Sequence, residues 1–359
     1  MIHFLNNSIY NMKTALLIFA SILLIITLLP FVKKEYWVFR VCEYPRIQKL
    51  VLNSITIGLL FFFWDKDDSV IQIFLGLMLL NAGYLLYLIL PFTPFSKKQA
   101  LDIKKEIPEN GIKLMISNVL QDNTNYQGCL NEIERVQPNL LLLLEINETW
   151  EKEIEILTEK FPFQVKVPLE NKYGMVLYSE FELQNTHVHY MVEDNIPSIH
   201  TEVILPSGQA FQLFAVHPTP PVPNENPTSK ERDKELLLIA DLAKECTLPV
   251  IVIGDLNDVA WSYTTSLFLK MSGLLDPRKG RGFFNTFHAH YPFLRFPLDH
   301  AFISVDWKLK QIVRLNNFNS DHFPIFISLQ YEKQAHLEQE ALEPDTDDVE
   351  LAEEKKQQV

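Results

Sequence analysis

Three stretches without a charged residue occupy the first hundred positions of this 359-residue chain: residues 15–32, 50–64 and 69–92. A bilayer core is spanned by about 20 helical residues, which the first and third stretches supply directly and the second supplies with its flanking residues. None of them has the amphipathic face of a surface helix. We therefore predict a membrane anchor over residues 1–95, with three transmembrane helices at about 15–32, 48–64 and 69–92.

Two other interpretations of these stretches were weighed against membrane insertion. Each stretch could be a buried helix of a soluble domain, but the three follow one another with only short polar breaks. The first could be a cleaved signal peptide, since Lys13 precedes it. Its apolar run is longer than a usual signal core, and two more runs follow it.

Basic residues near the ends of the spans predict the orientation, because Lys and Arg resist translocation. Five basic residues lie between the first two spans and four follow the third, whereas the opposite side carries only Lys13 and Lys66. Three aspartates surround Lys66. The expected protein is a multi-pass integral membrane protein whose large domain faces the cytoplasm.

Charge and cysteine usage narrow the remaining possibilities. The net charge is −13, and residues 332–359 contribute −7 of it with ten acids against three lysines. We predict a linker at residues 96–109 and an acidic disordered tail at residues 332–359.

The three scattered cysteines imply no disulfide framework. The absence of a Lys/Arg stripe with interleaved aromatic residues counts against a long nucleic acid as the preferred partner.

From residue 112 onward, short β-rich runs alternate with helical stretches. The predicted strands are residues 112–118, 139–146, 174–179, 187–192, 200–205, 210–217, 249–254, 299–304, 308–313 and 324–330. The predicted helices are residues 127–136, 149–160, 229–245 and 259–271. This pattern predicts an α/β domain in which two sheets pack face to face with helices outside.

Many of the buried strands end on, or are followed by, an acid, an amide or an imidazole. These residues are Asn118, Glu145, His217, Asp255, Asn257, Asp299, Asp321 and His322. Hard divalent cations bind carboxylate and amide oxygens, and phosphoryl chemistry needs a metal, a base and an electrophilic imidazole in one cleft. Glu145 directly follows a run of leucines, where an acid needs a partner to avoid a large desolvation cost. The set predicts a metal-dependent phosphoesterase.

The same residues resemble the endonuclease/exonuclease/phosphatase superfamily, which includes exonuclease III-like nucleases, sphingomyelinases and inositol polyphosphate 5-phosphatases. GDLND at residues 254–258 matches the GDxN signature, SDHFPI at residues 320–325 matches the SDHxP signature, and LDHAFIS at residues 298–304 resembles a third motif. The resemblance covers about residues 110–331 and implies a four-layer α/β sandwich, preceded here by the helical anchor.

The resemblance also implies a metal site. Glu145 would be the principal ligand of Mg²⁺ or Mn²⁺, with Asn118 beside it and Asp321 joining it. These three residues are the metal-binding set that we expect.

The implied catalytic set consists of five residues. Asp255 would activate the attacking water, and Asn257 would contact the phosphate or the metal. His217 would contact the substrate phosphate. Asp299 would orient His322, which would stabilise the charged phosphoryl oxygens.

The membrane anchor bears on the substrate, because tethering raises the effective concentration of a lipid-borne phosphate. Aromatic residues at 283–284 and 290–296 could rest on lipid or could be ordinary packing. Similar proteins with this layout include bacterial membrane phosphatases proposed to act on lipid-linked phosphates of the cell envelope, which would place the domain outside the cytoplasm. The favoured prediction is a membrane-anchored hydrolase of a phosphomonoester or phosphodiester, lipid-linked or small. The alternatives are a tethered nuclease, with nucleic acid as the less favoured substrate, and a catalytically silent scaffold.

Overall fold

A computed structural model describes residues 2–32 and 34–359 of the chain. The chain divides into two units, one ending at Pro91 and the other running from Phe92 to Val359. The predicted anchor at residues 1–95 ends close to this division, and its residues Met1 and Lys33 lie outside the described part of the chain. Each unit is considered by itself below.

The N-terminal unit is helical. Its helices are α1 (Ile2–Leu28), α2 (Trp37–Val41), α3 (Arg46–Phe62) and α4 (Ser69–Ile89). The side chain of Asp68 caps α4 by accepting a hydrogen bond from the Ile71 amide, which explains why the third apolar run starts where it does. Two apolar segments, Tyr10–Phe31 with 22 residues and Ser69–Phe92 with 24 residues, are long enough to cross a membrane.

The helix at the predicted middle span differs from the other two. Helix α3 has 17 residues, and its buried polar side chains include Lys49 and Asn53. Asn53 accepts a hydrogen bond from Asn81 of α4 at 2.8 Å and donates one to the Met78 carbonyl at 2.9 Å. These two side-chain hydrogen bonds join α3 to α4. A hydropathy pattern does not predict such polar contacts. Within the described residues, two of the three predicted spans therefore meet the length and composition of a membrane-crossing helix.

The C-terminal unit contains two mixed sheets. Its strands are β1 (Gly111–Asn118), β2 (Leu140–Leu144), β3 (Phe163–Val167), β4 (Met175–Ser179), β5 (Leu183–His189), β6 (Ser198–Ile204), β7 (Ala210–Val216), β8 (Val250–Asp255), β9 (Asp299–Ile303), β10 (Trp307–Arg314) and β11 (Ile325–Tyr331). The first sheet has the order β10-β11-β1-β2-β4-β3, and the second has the order β5-β6-β7-β8-β9. Each sheet has one parallel pair at its centre, β1 with β2 and β7 with β8, and its other pairs are antiparallel.

Helices cover the outer face of each sheet. The helices are α5 (Tyr126–Val136), α6 (Glu148–Glu153), α7 (Lys230–Glu245), α8 (Tyr263–Ser272) and α9 (Thr346–Lys356). Alternate residues of the leucine strand β2 point to opposite sides: Leu142 joins the core between the sheets, and Leu143 joins the core under α5 and α6. Helices α7 and α8 pack on the other sheet, where Leu236 and Phe268 meet Val252. The four layers confirm the predicted α/β sandwich.

Three local predictions differ from the structure. The predicted helix at residues 149–160 is the short helix α6 followed by a 3-10 helix at Glu155–Glu159. The predicted strand at residues 187–192 is β5, which starts earlier and is an edge strand with a register shift between Gln184 and His187. Strand β3 was not predicted; it is an edge strand whose residues are all half-buried, so it lacks an alternating pattern.

The predicted linker and the predicted disordered tail are both ordered parts of the C-terminal unit. Residues 101–103 pair with β10, since Ile103 donates to the Leu309 carbonyl at 3.0 Å and Leu309 donates to the Leu101 carbonyl at 2.8 Å. The tail forms α9, which starts with a capping box made by Asp345 and Asp348. Helix α9 differs from the predicted disorder, and composition does not reveal the ion pairs that hold it, such as Lys355–Asp233 and Lys270–Asp348.

We expect Ala352→Asp to detach α9. Ala352 is buried beside Leu237 and Leu267, so an aspartate there would bury an unpaired charge. The free energy of unfolding should fall by roughly 2–4 kcal/mol. The fall cannot exceed the free energy that the docking of α9 contributes. Hydrogen exchange over residues 346–356 should become fast. Gln357→Asp, at an exposed position of the same segment, is the control, and protection that persists in Ala352→Asp would contradict the docking.

Candidate active site

The predicted site residues meet at one edge of the two sheets. Asn118 ends β1, Glu145 follows β2, His217 follows β7 and Asp255 ends β8. The carboxyl ends of parallel strands lie at the same edge of a sheet, so each parallel pair delivers two polar side chains there. Asp299 begins β9 directly opposite Asp255 in the antiparallel register, which places it at the same edge. The remaining pair, Asp321 and His322, precedes β11, which runs antiparallel to β1.

The side-chain amide of Asn118 bonds to residues of both sheets at this edge. Asn118 donates from Nδ2 to Oε1 of Glu145 at 2.9 Å and to Oδ2 of Asp255 at 3.2 Å. Its own Oδ1 accepts from the backbone amide of Leu120 at 3.0 Å, which fixes the orientation of the side chain. The donor face of Asn118 is thus turned toward the two carboxylates, and its oxygen is used by the backbone.

Glu145 is held in an unusual backbone conformation. Its φ is 62°, in the left-handed region, which a non-glycine residue occupies at a cost of about 1 kcal/mol or more. This turn lets the carboxylate leave the leucine strand and face the cleft, where Oε2 accepts from the Gln121 amide at 3.1 Å. Burial raises the pKa of the Glu145 carboxyl above its usual range, and the donors at Asn118 and Gln121 offset part of that rise.

Gly254 is required by the close approach of two strands. Its φ is 151°, and a Cβ at this position would lie 1.8 Å from the Val216 carbonyl oxygen. The turn that follows is tight: Asn257, with φ 50°, donates from its backbone amide to Oδ1 of Asp255 at 3.0 Å. The Asn257 side chain donates to the Pro218 carbonyl at 2.9 Å, which ties the turn to the loop after β7. The GDLND motif therefore forms a rigid turn that presents Asp255.

His322 lies between two acids. Its Nδ1 is 2.8 Å from Oδ2 of Asp299, and its Nε2 is 3.5 Å from Oδ2 of Asp255. All three residues are buried. Burial alone would lower the pKa of His322, but Asp299 and Asp255 outweigh that effect and raise the pKa to about 10. The imidazole is therefore a charged donor at neutral pH, oriented by Asp299.

Asp255 has the opposite balance. Burial raises its pKa, and the nearby imidazoles of His322 and His217 lower it in part. Its Oδ1 is held by the Asn257 amide, and its Oδ2 accepts from Asn118. This carboxylate is fixed in orientation, and its raised pKa gives it more basic character than an exposed aspartate has.

His217 is a neutral imidazole. Its Nε2 lies 3.9 Å from Oδ2 of Asp255, and burial lowers its pKa to about 4. The buried Nδ1 has no hydrogen-bond partner among the described residues. The ring of Tyr173 packs on it with centroids 5.2 Å apart, and the Tyr173 hydroxyl donates to Glu225 at 2.6 Å.

A pocket of about 140 Å³ opens among these residues. Its lining includes seven of the eight predicted site residues, and Asp299 lies behind His322. Sequence reasoning missed five lining residues that have no distinctive motif: Lys172, Tyr173, Pro220, Glu225 and Phe287. A glycine, Gly174, follows Lys172 and Tyr173 in the sequence and is a signal that could have drawn attention to them. A Cβ at Gly174 would lie 1.8 Å from the Ile146 carbonyl oxygen.

The donor set fits a hard divalent cation. Glu145 and Asp321 are close enough for Asp321 to raise the pKa of Glu145, and Oδ1 of Asp321 is buried without a hydrogen-bond partner among the described residues. Oxygen donors of this kind suit Mg²⁺ or Mn²⁺. A second group of acids and imidazole, Asp255, Asp299 and His322, also has its ligand atoms within 4.8 Å of one another. In that group Nδ1 of His322 is already engaged with Asp299.

Solved structures with a similar fold come from animals and bacteria. TDP2 from D. rerio, solved with a single-strand DNA product, matches with a TM-score of 0.52 and 15% identity over 61% of this chain and 99% of that chain. The human Nocturnin catalytic domain, solved with a bound sulfate anion, matches with a TM-score of 0.50 and 18% identity over 64% of this chain and 96% of that chain. At these identities the likeness supports the fold alone.

A bacterial structure gives a similar result. The endonuclease/exonuclease/phosphatase family protein from Bacteroides thetaiotaomicron matches with a TM-score of 0.51 and 16% identity, over 62% of this chain and 98% of that chain. No curated protein matches this sequence significantly. The family model described as "Endonuclease/Exonuclease/phosphatase family" matches residues 115–322, more than half of the chain and nearly all of the two sheets. The protein is a member of the endonuclease/exonuclease/phosphatase family.

Proposed function

We propose that this protein is a divalent-metal-dependent phosphoesterase that hydrolyses a phosphomonoester or phosphodiester by in-line attack of an activated water. The observation that carries the proposal is the arrangement of one pocket. A fixed basic carboxylate, Asp255, lies within 4 Å of a charged imidazole, His322, beside the oxygen donors of Glu145 and Asp321. A base, an electrophile and a cation site in one cleft are what hydrolysis of a phosphate ester needs.

Glu145 and Asp321 would hold the cation. When bound, Mg²⁺ or Mn²⁺ would neutralise the non-bridging oxygens of the phosphate ester. Asn118 was predicted as a third ligand, but its oxygen accepts from Leu120 and its amide group faces the carboxylates. We propose that Asn118 orients Glu145 and Asp255 instead of binding the cation through its oxygen.

Asp255 would accept the proton of the attacking water. Its raised pKa supports this role, since a base near the operating pH is more effective than a strongly acidic carboxylate. His322 would donate to the phosphoryl oxygens as charge builds on them, with Asp299 holding its ring. His217 is neutral and would donate from its ring N–H to an oxygen of the substrate phosphate. Asn257 would stabilise the turn that presents Asp255, and in this way it would act on the phosphate indirectly.

The favoured substrate is a phosphate ester presented at a lipid surface. The loop after Ala289 exposes three large apolar side chains within four residues: Tyr291 is 58% exposed, Phe293 85% and Leu294 52%. The base of this loop belongs to the site, because Phe287 lines the pocket and the Ala289 amide donates to the Asp321 carbonyl at 2.6 Å. An apolar loop beside the pocket favours contact with a bilayer.

Membrane anchoring is part of the same proposal. The apolar segments Tyr10–Phe31 and Ser69–Phe92 support insertion, and the distribution of basic residues favours a multi-pass protein with its catalytic domain in the cytoplasm. The extracytoplasmic side is the alternative.

A nuclease is the second candidate, favoured by the TDP2 structure that holds a DNA product. The pocket argues against it: Lys172 is the one lysine or arginine among its described lining residues, against four acids, Glu145, Glu225, Asp255 and Asp321. A surface that tracks a nucleic-acid strand is usually basic. A catalytically silent scaffold would lack turnover altogether, which the following experiment tests.

We expect Glu145→Gln and Asp255→Asn to lower kcat at least ~10³-fold, since they remove a cation ligand and the base, respectively. The measurement is hydrolysis of a phosphomonoester, a phosphodiester, a lipid phosphate and single-stranded DNA by the full chain in detergent. Turnover should require Mg²⁺ or Mn²⁺ and stop with EDTA. Glu148→Gln, an exposed acid three residues from Glu145, is the control. Full activity of Asp255→Asn, or turnover that survives EDTA, would contradict the proposal.

Asp299→Asn should lower the pKa of His322. Asp299 is the largest of the groups that raise this pKa to about 10, so its loss leaves burial with less opposition. NMR titration of the metal-free protein should show a charged imidazole through pH 9 in the wild type and loss of its proton at lower pH in the variant. An unchanged titration would mean that Asp299 does not hold the ring in its charged form.

Phe293→Ser should weaken activity on a lipid phosphate in vesicles by about tenfold and leave turnover of a soluble phosphodiester unchanged. The reason is that Phe293 is the most exposed apolar side chain of the loop and does not line the pocket. Ile156→Ser is a matched control, because Ile156 is 63% exposed on a 3-10 helix remote from the pocket residues. Equal losses on both substrates would assign the loop to the structure of the site.

A further inference from the structure

A buried ionic network lies behind the GDLND turn and reaches α9. Lys355 of α9 donates from Nζ to Oδ2 of Asp233 on α7 at 2.8 Å, and both side chains are at least 95% buried. Ser229 donates to the same oxygen at 3.0 Å. Burial alone would raise the pKa of Asp233, but Lys355 and Arg232 outweigh it and lower the pKa to about 2. The charge of Lys355, near the end of the tail, is therefore paired with a buried acid.

Arg232 carries the network to the catalytic turn. Its Nη2 is 2.9 Å from Oδ1 of Asp233 and 3.5 Å from Oδ2 of Asp258, the last residue of GDLND. Its Nη1 donates to the Asn257 carbonyl at 2.8 Å. Asp258 also accepts from the Ser262 hydroxyl at 2.5 Å, which continues the network to the start of α8.

Two buried cations, Lys355 and Arg232, contact two buried acids, Asp233 and Asp258. Among the contacts described, Arg232 is shared between Asp233, Asp258 and the Asn257 carbonyl. Removal of Lys355 would take one cation from Asp233 and would draw the guanidinium toward it, away from Asp258 and from the Asn257 carbonyl. Asn257 has φ 50°, a conformation that persists only where surrounding bonds hold it. The bonds that hold it fix Asp255 as well, because the Asn257 amide donates to Oδ1 of that carboxylate.

We propose that α9 is a clamp that positions the catalytic turn, with Lys355 and Arg232 as positioning residues for Asp255. The C-terminal segment thereby sets the activity of a pocket that it does not touch: none of its residues lines the pocket. The effect on turnover rests on the proposed phosphoesterase function. The effect on the turn does not depend on it.

The test compares two neighbouring lysines of α9. Lys355→Met removes the buried cation, whereas Lys356→Met removes a half-buried lysine that pairs with the more exposed acids Asp241 and Glu353. Hydrogen exchange should speed up at least tenfold over residues 254–262 in Lys355→Met and should stay at the wild-type rate in Lys356→Met. Lys355→Arg should restore protection, because it keeps the charge. Lys270→Met is a second route, since it breaks the Lys270–Asp348 pair at 2.5 Å that holds the start of α9, without altering the network itself.

Kinetics supply the second readout. At saturating Mg²⁺, Lys355→Met should lower kcat by roughly 10- to 100-fold with KM unchanged, because the base is misplaced while the cation and phosphate contacts remain. Turn exchange at the wild-type rate in a folded Lys355→Met variant, or equal effects of Lys355→Met and Lys356→Met, would overturn the clamp. If the turn loosens as expected and even the wild type hydrolyses no phosphate ester, the clamp stands and the proposed function fails.

Discussion

The hydrogen bonds of the Asn118 amide connect the two halves of this domain. One nitrogen donates to Glu145 on the first sheet and to Asp255 on the second. Together with the His322–Asp299 pair, it links the two sheets at this edge by polar contacts beside the apolar core between them. Two carboxylates brought this close need donors, because buried charge without hydrogen bonds is costly. The rest of the site supplies them: the Gln121 amide to Glu145, the Asn257 amide to Asp255, and the imidazole of His322 within 3.5 Å of Asp255.

The pocket and the α9 network respond to opposite ends of the pH scale. His322 has a pKa raised to about 10, so its contribution to stability is fully present below the unfolded value of about 6.5 and is lost as pH rises through about 10. Asp233 has a pKa lowered to about 2, so its contribution is present above the unfolded value of about 3.9 and is lost as pH falls through about 2. Between these limits Asp233 and His322 both keep their charge. The pair of Asp233 with Lys355 and the charged imidazole in the pocket therefore coexist at neutral pH.

Sequence patterns predicted the sandwich and the position of each candidate site residue because both depend on strands and their ends. A run of leucines followed by Glu145, or PVIVIG followed by Asp255, gives the strand, its burial on two faces and the polar residue that comes next. The orientation of a side chain is not encoded in this way. Asn118 was predicted to lie beside the cation, and the sequence does not show that its oxygen accepts from the Leu120 amide while its nitrogen faces two carboxylates.

Contacts between distant segments were missed for a related reason. The tail has the composition of a disordered segment, yet Lys355 pairs with Asp233 across 122 positions of sequence. Tyr173 contacts His217 and Glu225 because two loops meet, the one before β4 and the one after β7, and no local spacing marks it. Edge strands β3 and β5 lack a clean alternation because neither has a face that is fully buried.

Electrostatics connect binding to catalysis in this pocket. A phosphate ester would carry negative charge into a cleft that is lined by four acids: Glu145, Glu225, Asp255 and Asp321. Lys172 and the charged His322 are positive groups of the same cleft. Like charges at these distances oppose entry, and their repulsion is strongest where burial excludes water. In the proposed mechanism a divalent cation would therefore serve substrate binding as well as the reaction itself. Lowering the cation concentration below saturation should raise KM together with lowering kcat, whereas loss of the clamp should lower kcat alone. The two perturbations reach the same carboxylate by different routes, which is why the kinetic split can separate them.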